Sequence, residues 1–132
     1  MSIFDKNVIE KKVELDDNNR TDLLLDYAFN HYCDWLLLNH ESSRNVYMPV
    51  SNETIKSYFK NNFQCFFSAM NCACPMWWWP DWLAPYEILH LKDISFEEKG
   101  NCIDMNITYK AETNNSPKTK TFIYNKEWLN IC

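Results

Sequence analysis

Hydrophobic positions in the first half of this chain recur at three- and four-residue intervals, while in the second half they alternate. Leu24, Tyr27, Ala28, Tyr32, Cys33, Trp35, Leu36 and Leu38 cover more than one face of a helical wheel, and Leu23 to Asn39 holds neither proline nor glycine. That pattern predicts a long helix buried on most sides. Thr21 is placed to cap it, and Asp22 suits the positive end of its dipole. Ser42-Ser43 and the Met48-Pro49 step end the segment, with a brief extended stretch expected at Asn45-Val46-Tyr47. Ser51 then caps a second helix, in which Ile55, Tyr58, Phe59, Phe63, Phe66 and Met70 keep the helical period to about Asn71.

After Pro85 the period changes. Tyr86 to Glu97 is strand-like, with Ile88, Leu89, Leu91, Ile94 and Phe96 as its apolar members. Glu98-Lys99-Gly100-Asn101 reads as a turn in which the glycine takes the positive φ. Ile103, Met105, Ile107 and Tyr109 then alternate with Cys102, Asp104, Asn106, Thr108 and Lys110, the signature of a half-buried antiparallel strand. Asn114-Asn115-Ser116-Pro117 turns the chain again and Thr119 to Asn125 pairs back. Glu127 to Ile131 makes either a fourth strand or a final turn.

The expected fold is therefore α+β: two helices followed by an antiparallel three- to four-stranded meander. We expect one domain over residues 1–132: an N-terminal arm (1–18), a helical half (21–71), a Trp- and Pro-rich loop (72–85) and a β meander (86–132). In topology alone, two helices wrapped by a curved meander resemble the cone of NTF2-like or cystatin-like folds. The resemblance implies a pocket between helices and sheet that holds a small hydrophobic ligand or performs acid/base chemistry. It rests on no motif, so it assigns no residue a role.

Composition narrows the partners. The formal net charge is −5 and the 13 basic residues are scattered, without the clustered stripe that phosphate neutralisation requires. Nucleic acid is not an expected partner. Acids gather around the start of the first helix (Glu14, Asp16, Asp17, Asp22 and Asp26), where a solvated face is the default and a basic partner the alternative. The single glycine, Gly100, excludes phosphate-cradling loops, which need several. No apolar run approaches the ~20 residues of a membrane span, and the first residues lack the pattern of a secretory leader. We expect a cytoplasmic protein without a membrane partner.

Candidate chemistry is sparse. Cys65, Cys72 and Cys74 would supply three thiolates to a metal, but structural zinc sites show two well-spaced ligand pairs and only one half is present. Buried thiols are the default for the six cysteines, and no cofactor is expected. A cysteine nucleophile needs a neighbouring base. On a helix, His31 and Cys33 project about 200° apart and cannot form that dyad. Glu97-Glu98 reads as a solvated hairpin end. Asp26 and Asp34 either mark the exposed strip of the first helix or, if buried, must be paired or face a cavity.

The strongest local signal is the stretch from Cys72 to Pro85. It gathers four of the six tryptophans, three prolines and two cysteines into fourteen residues. Prolines at that spacing rule out a continuous helix or central strand. From Asn61 to Leu91 there is no Lys or Arg, and only Asp81 and Glu87 carry charge. Such a loop is either the cap of the core or a handle for another molecule. Adjacent residues in an extended segment face opposite ways, so Trp78 should be exposed if Trp77 and Trp79 are buried.

Two functional expectations follow. The first is a small acidic, non-enzymatic protein of the inhibitor or immunity type. It would dock a protein partner through Trp77, Trp78, Trp79, Asp81 and Trp82, tryptophan being a favoured interface anchor. A homodimer seam is another use of the same patch. The second is a pocket protein binding a hydrophobic or carbohydrate ligand, or an acid/base enzyme, with His31, Asp34, Trp35 and His90 facing the cavity.

Overall fold

The computed structural model describes residues 20–42, 50–72, 78, 88–113 and 116–129. The expected N-terminal arm, the extension at 45–47 and most of the 72–85 loop lie outside them. Helix α1 spans Arg20–Ser42 and helix α2 Asn52–Asn71, followed by strands β1 (Leu89–Lys99), β2 (Cys102–Ala111) and β3 (Lys118–Asn125) and a 3-10 turn (Lys126–Leu129). The strands form one antiparallel sheet in the order β1-β2-β3. This is the expected α+β architecture, with three strands. The closing segment takes the turn alternative, its Trp128 ring edge-on to Tyr124 at 5.2 Å. None of the described helices is long and apolar enough to cross a membrane.

Arg20 is already helical, so Thr21 lies inside α1 rather than capping it. In α2 the cap is Ser51, whose hydroxyl accepts from the Thr54 amide at 3.2 Å while its carbonyl accepts from Ile55 at 3.1 Å. Ile55, Phe59, Phe63, Phe66, Phe67 and Met70 line the buried face of α2. α1 is buried through Leu24, Leu25, Tyr27, Ala28, Phe29, Tyr32, Cys33, Leu36 and Leu37. The apolar pattern that wraps around its wheel is thus satisfied on most sides.

The sheet covers the helices with one face only. Ile103, Met105, Ile107 and Tyr109 are all buried, as their alternation predicts. Phe122 and Tyr124 continue the same face on β3. On β1 the apolar parity changes between Leu89/Leu91 and Ile94/Phe96, which an unbroken strand would split between two faces. A register shift between Leu91 and Asp93 inserts Lys92 as an extra residue and returns Ile94 and Phe96 opposite Ile107 and Met105. The β1–β2 loop is two residues long, with Gly100 at φ 60, where a Cβ would be strained.

The outer face of the sheet is polar. Thr121 donates to Asn106 at 2.6 Å, and the Thr108 and Thr119 hydroxyls meet at 3.2 Å. Lys99 pairs with Asp104 at 2.8 Å. Such cross-strand pairs suit a solvated face, so the fold has two layers.

Two polar clamps join the layers. Glu98 occupies a core-facing register position opposite Ile103 and accepts from Asn52 at 2.7 Å, with Lys56 at 3.3 Å. The Asn52 hydrogen bond and then the Lys56 ammonium hold the Glu98 carboxyl below its ordinary range. Both acids of the Glu97-Glu98 pair are exposed at the hairpin end, as the sequence led us to expect, and Glu98 is in addition tied to α2. At the other end of the sheet Lys120 meets Asp26 at 3.0 Å and Asp22 at 4.0 Å, its ammonium 5.4 Å from the Phe122 ring centre. Burial nevertheless raises the Asp26 carboxyl above its ordinary value, because lost hydration outweighs the lysine. Asp26 is half-buried and paired, not a free member of an acidic face.

Candidate functional site

The C-terminal half of α1 carries the site. His31, Asp34, Trp35 and Leu38 follow an i, i+3, i+4, i+7 spacing and share one strip of the helix. The residues between them, Tyr32, Cys33, Leu36 and Leu37, are buried and fix that strip outward. Trp35 is 40% and Leu38 55% exposed, two of the three large apolar side chains exposed among the described residues. The third, Ile123, stands alone on the polar side of the sheet.

Trp78, the described indole of the Trp-rich stretch, packs onto this strip. Its ring stacks on His31 with centroids 4.3 Å apart and planes within 14°. Tyr27 lies parallel at 6.1 Å, Phe66 is stacked at 5.9 Å, and Tyr32 meets it edge-on at 5.7 Å. His31 in turn contacts Trp35 at 5.8 Å. The histidine ring therefore lies between a half-buried indole and an exposed one. Offset stacks of this kind add ~0.5–1.5 kcal/mol each beyond simple burial. Trp78 is half-buried against the core, not turned out to solvent. Trp77, Trp79, Asp81 and Trp82 lie outside the described residues.

The four residues expected to line a pocket are not all brought together. His31, Asp34 and Trp35 share the α1 strip, and Asp34 accepts from Asn30 at 3.4 Å. His90 pairs in register with Lys110 between the core-facing Leu89 and Leu91, which places it on the outer face of the sheet. There it sits 3.9 Å from Glu112. The sheet separates His90 from the helices, because period-2 alternation sends neighbouring side chains to opposite faces. The Asp34 carboxylate is half-buried beside Asn30 rather than on a fully solvated strip.

The cysteines are dispersed. Cys33 is fully buried, and burial pushes its thiol well above the ordinary value, away from the thiolate form that nucleophiles and metal ligands need. Cys65 and Cys72 are exposed on α2 and at its C-cap, while Cys74 lies outside the described residues. Among the described residues no three His, Cys, Asp or Glu side chains cluster as a metal centre requires. Burial likewise raises Tyr58 to about 12, so this phenol stays protonated at neutral pH.

Leu38 was not singled out from the sequence as a site residue. The signal was present, since it stands three residues after Trp35 and seven after His31 on the same strip. Comparison of the chain with protein-family models, curated proteins and solved structures finds no match.

Proposed function

We propose that this chain is a non-enzymatic binding protein, of the inhibitor or immunity type, that docks another protein through the C-terminal half of α1. The observation that carries the reading is the exposure of Trp35 and Leu38 side by side on a rigid helix, next to the His31–Trp78 stack. Single exposed apolar residues are ordinary, but a tryptophan and a leucine one turn apart on an otherwise buried helix form an anchor of the kind found in helix-face recognition. The helix is held by core residues on its other sides, so little ordering entropy is lost on docking. In this reading Trp77, Trp79, Asp81 and Trp82 extend the surface, and Trp78 ties their segment to α1.

The double substitution Trp35→Ala, Leu38→Ala tests it. Both side chains are exposed, so the melting temperature should stay within a few degrees of wild type. Capture of the native-host partner by the double variant should fall by about tenfold or more, the effect of losing one or two anchors of ~1–2 kcal/mol. Equal recovery by both proteins would remove the α1 strip from the interface.

A further inference from the structure

We infer that the partner of the α1 strip presents a cationic amphipathic segment, with apolar side chains on Trp35 and Leu38 and Lys or Arg along its flanks. This rests on the docking role proposed above and adds the chemistry of the partner. The strip runs from His31 to Leu38, seven steps of helix or about 10 Å, which matches one helix or strand laid across it. The chain segments that carry the strip and its stacked indole hold charge of one sign. No Lys or Arg occurs from Thr21 to Ser43, the stretch that contains nearly all of α1. None occurs from Asn61 to Leu91, which contains the second half of α2, Trp78 and the start of β1. The charged side chains described in these two segments, Asp22, Asp26 and Asp34, are all acids, and Asp34 stands on the strip itself. Lys120, which reaches α1 from β3, is engaged by Asp26 and Asp22 one end away from the strip.

The same distribution selects among occupants. A second copy in two-fold contact would bring Asp34 towards Asp34, between two chains of net charge −5. An acidic partner meets the same repulsion. A guanidinium or ammonium instead gains from the carboxylate and from the indole face of Trp35, because cations are drawn to the negative face of an aromatic ring. Steering by the chain's negative field also speeds encounter with a cationic partner, an effect that salt removes.

Two synthetic amphipathic helices of about 18 residues test this, one with leucine on one face and lysine on the other, its twin with glutamate in place of lysine. Binding to the full chain is read by fluorescence anisotropy at ~50 and ~500 mM salt. We expect the lysine peptide to bind at least about tenfold more tightly than its twin at low salt, to lose most of that margin at high salt, and to be weakened by Trp35→Ala and by Leu38→Ala. If both peptides bind equally and both are weakened by these substitutions, the docking strip stands and the cationic partner is overturned. If neither binds, or binding ignores both substitutions, the docking role falls with it. Sedimentation of the protein alone as a dimer that Leu38→Ala dissociates would identify the occupant as a second copy and overturn the proposal.

Discussion

Trp78→Ala is expected to lower stability by about 2–3 kcal/mol, less than the ~3–5 kcal/mol of a fully buried aromatic because the indole is only half-buried. The loss comes from four ring contacts at once: the His31 and Tyr27 stacks, the Phe66 stack and the edge contact with Tyr32. For a chain of 132 residues this corresponds to a fall in melting temperature of about 6–15 °C by calorimetry. Docking should weaken in parallel, since His31 loses one of the two indoles that hold its ring. This separates Trp78 from Leu38, whose substitution should reduce docking and leave the melting temperature nearly unchanged. A shift under about 2 °C for Trp78→Ala would mean that the indole does not bind the loop to the core.

The larger effect belongs to Phe59→Ala. Phe59 is 1% exposed and touches rings on three elements: Phe29 of α1 at 5.4 Å, Tyr124 of β3 at 5.3 Å and its α2 neighbour Tyr58 at 5.8 Å. Phe29 itself stacks on Phe122 at 4.7 Å, so the cavity would open at the centre of a continuous aromatic chain. Rings this interlocked cannot relax singly into the void, which places the cost at about 3–5 kcal/mol. Small domains hold only ~5–15 kcal/mol in total. Chemical denaturation should therefore show a midpoint near or below half that of wild type, or a chain that is already partly unfolded without denaturant. A loss under ~1 kcal/mol would contradict the core described above.

Local patterns made the elements legible. Ser51 and the three- and four-residue spacing of Ile55, Phe59, Phe63 and Phe66 located α2 to the residue, and Gly100 located the tight turn. The alternation of Ile103 to Tyr109 located β2 and its buried face. The start of α1 was read too late in the chain because Thr21 is as suitable within a helix as it is at a cap. The bulge at Lys92 left only a parity change between Leu91 and Ile94, which is readable once the pairing partner is known.

The site was harder to read for a physical reason. Apolar residues surround α1 so completely that the pattern could not distinguish the buried Leu36 and Leu37 from the exposed Trp35 and Leu38. The contact between His31 and Trp78 joins residues 47 positions apart, and no local spacing rule reaches that far. The adjacency rule that pointed Trp78 outward took no account of the seat offered to its indole by three rings of α1 and Phe66 of α2. His90 failed as a pocket residue through strand parity, which becomes definite only when Leu89 is seen to be buried.

The central claim is that a partner contacts the α1 strip. Its most direct measurement is site-specific photo-crosslinking in the native host, with the reactive group placed at Leu38 in one protein and at Ser95, on the polar outer face of the sheet, in another. Both positions are exposed, so neither substitution should disturb the core. The account predicts that the group at Leu38 traps a partner through one of its Lys- or Arg-bearing apolar segments and that the group at Ser95 does not. Equal trapping at both positions, or trapping at Ser95 alone, would contradict it.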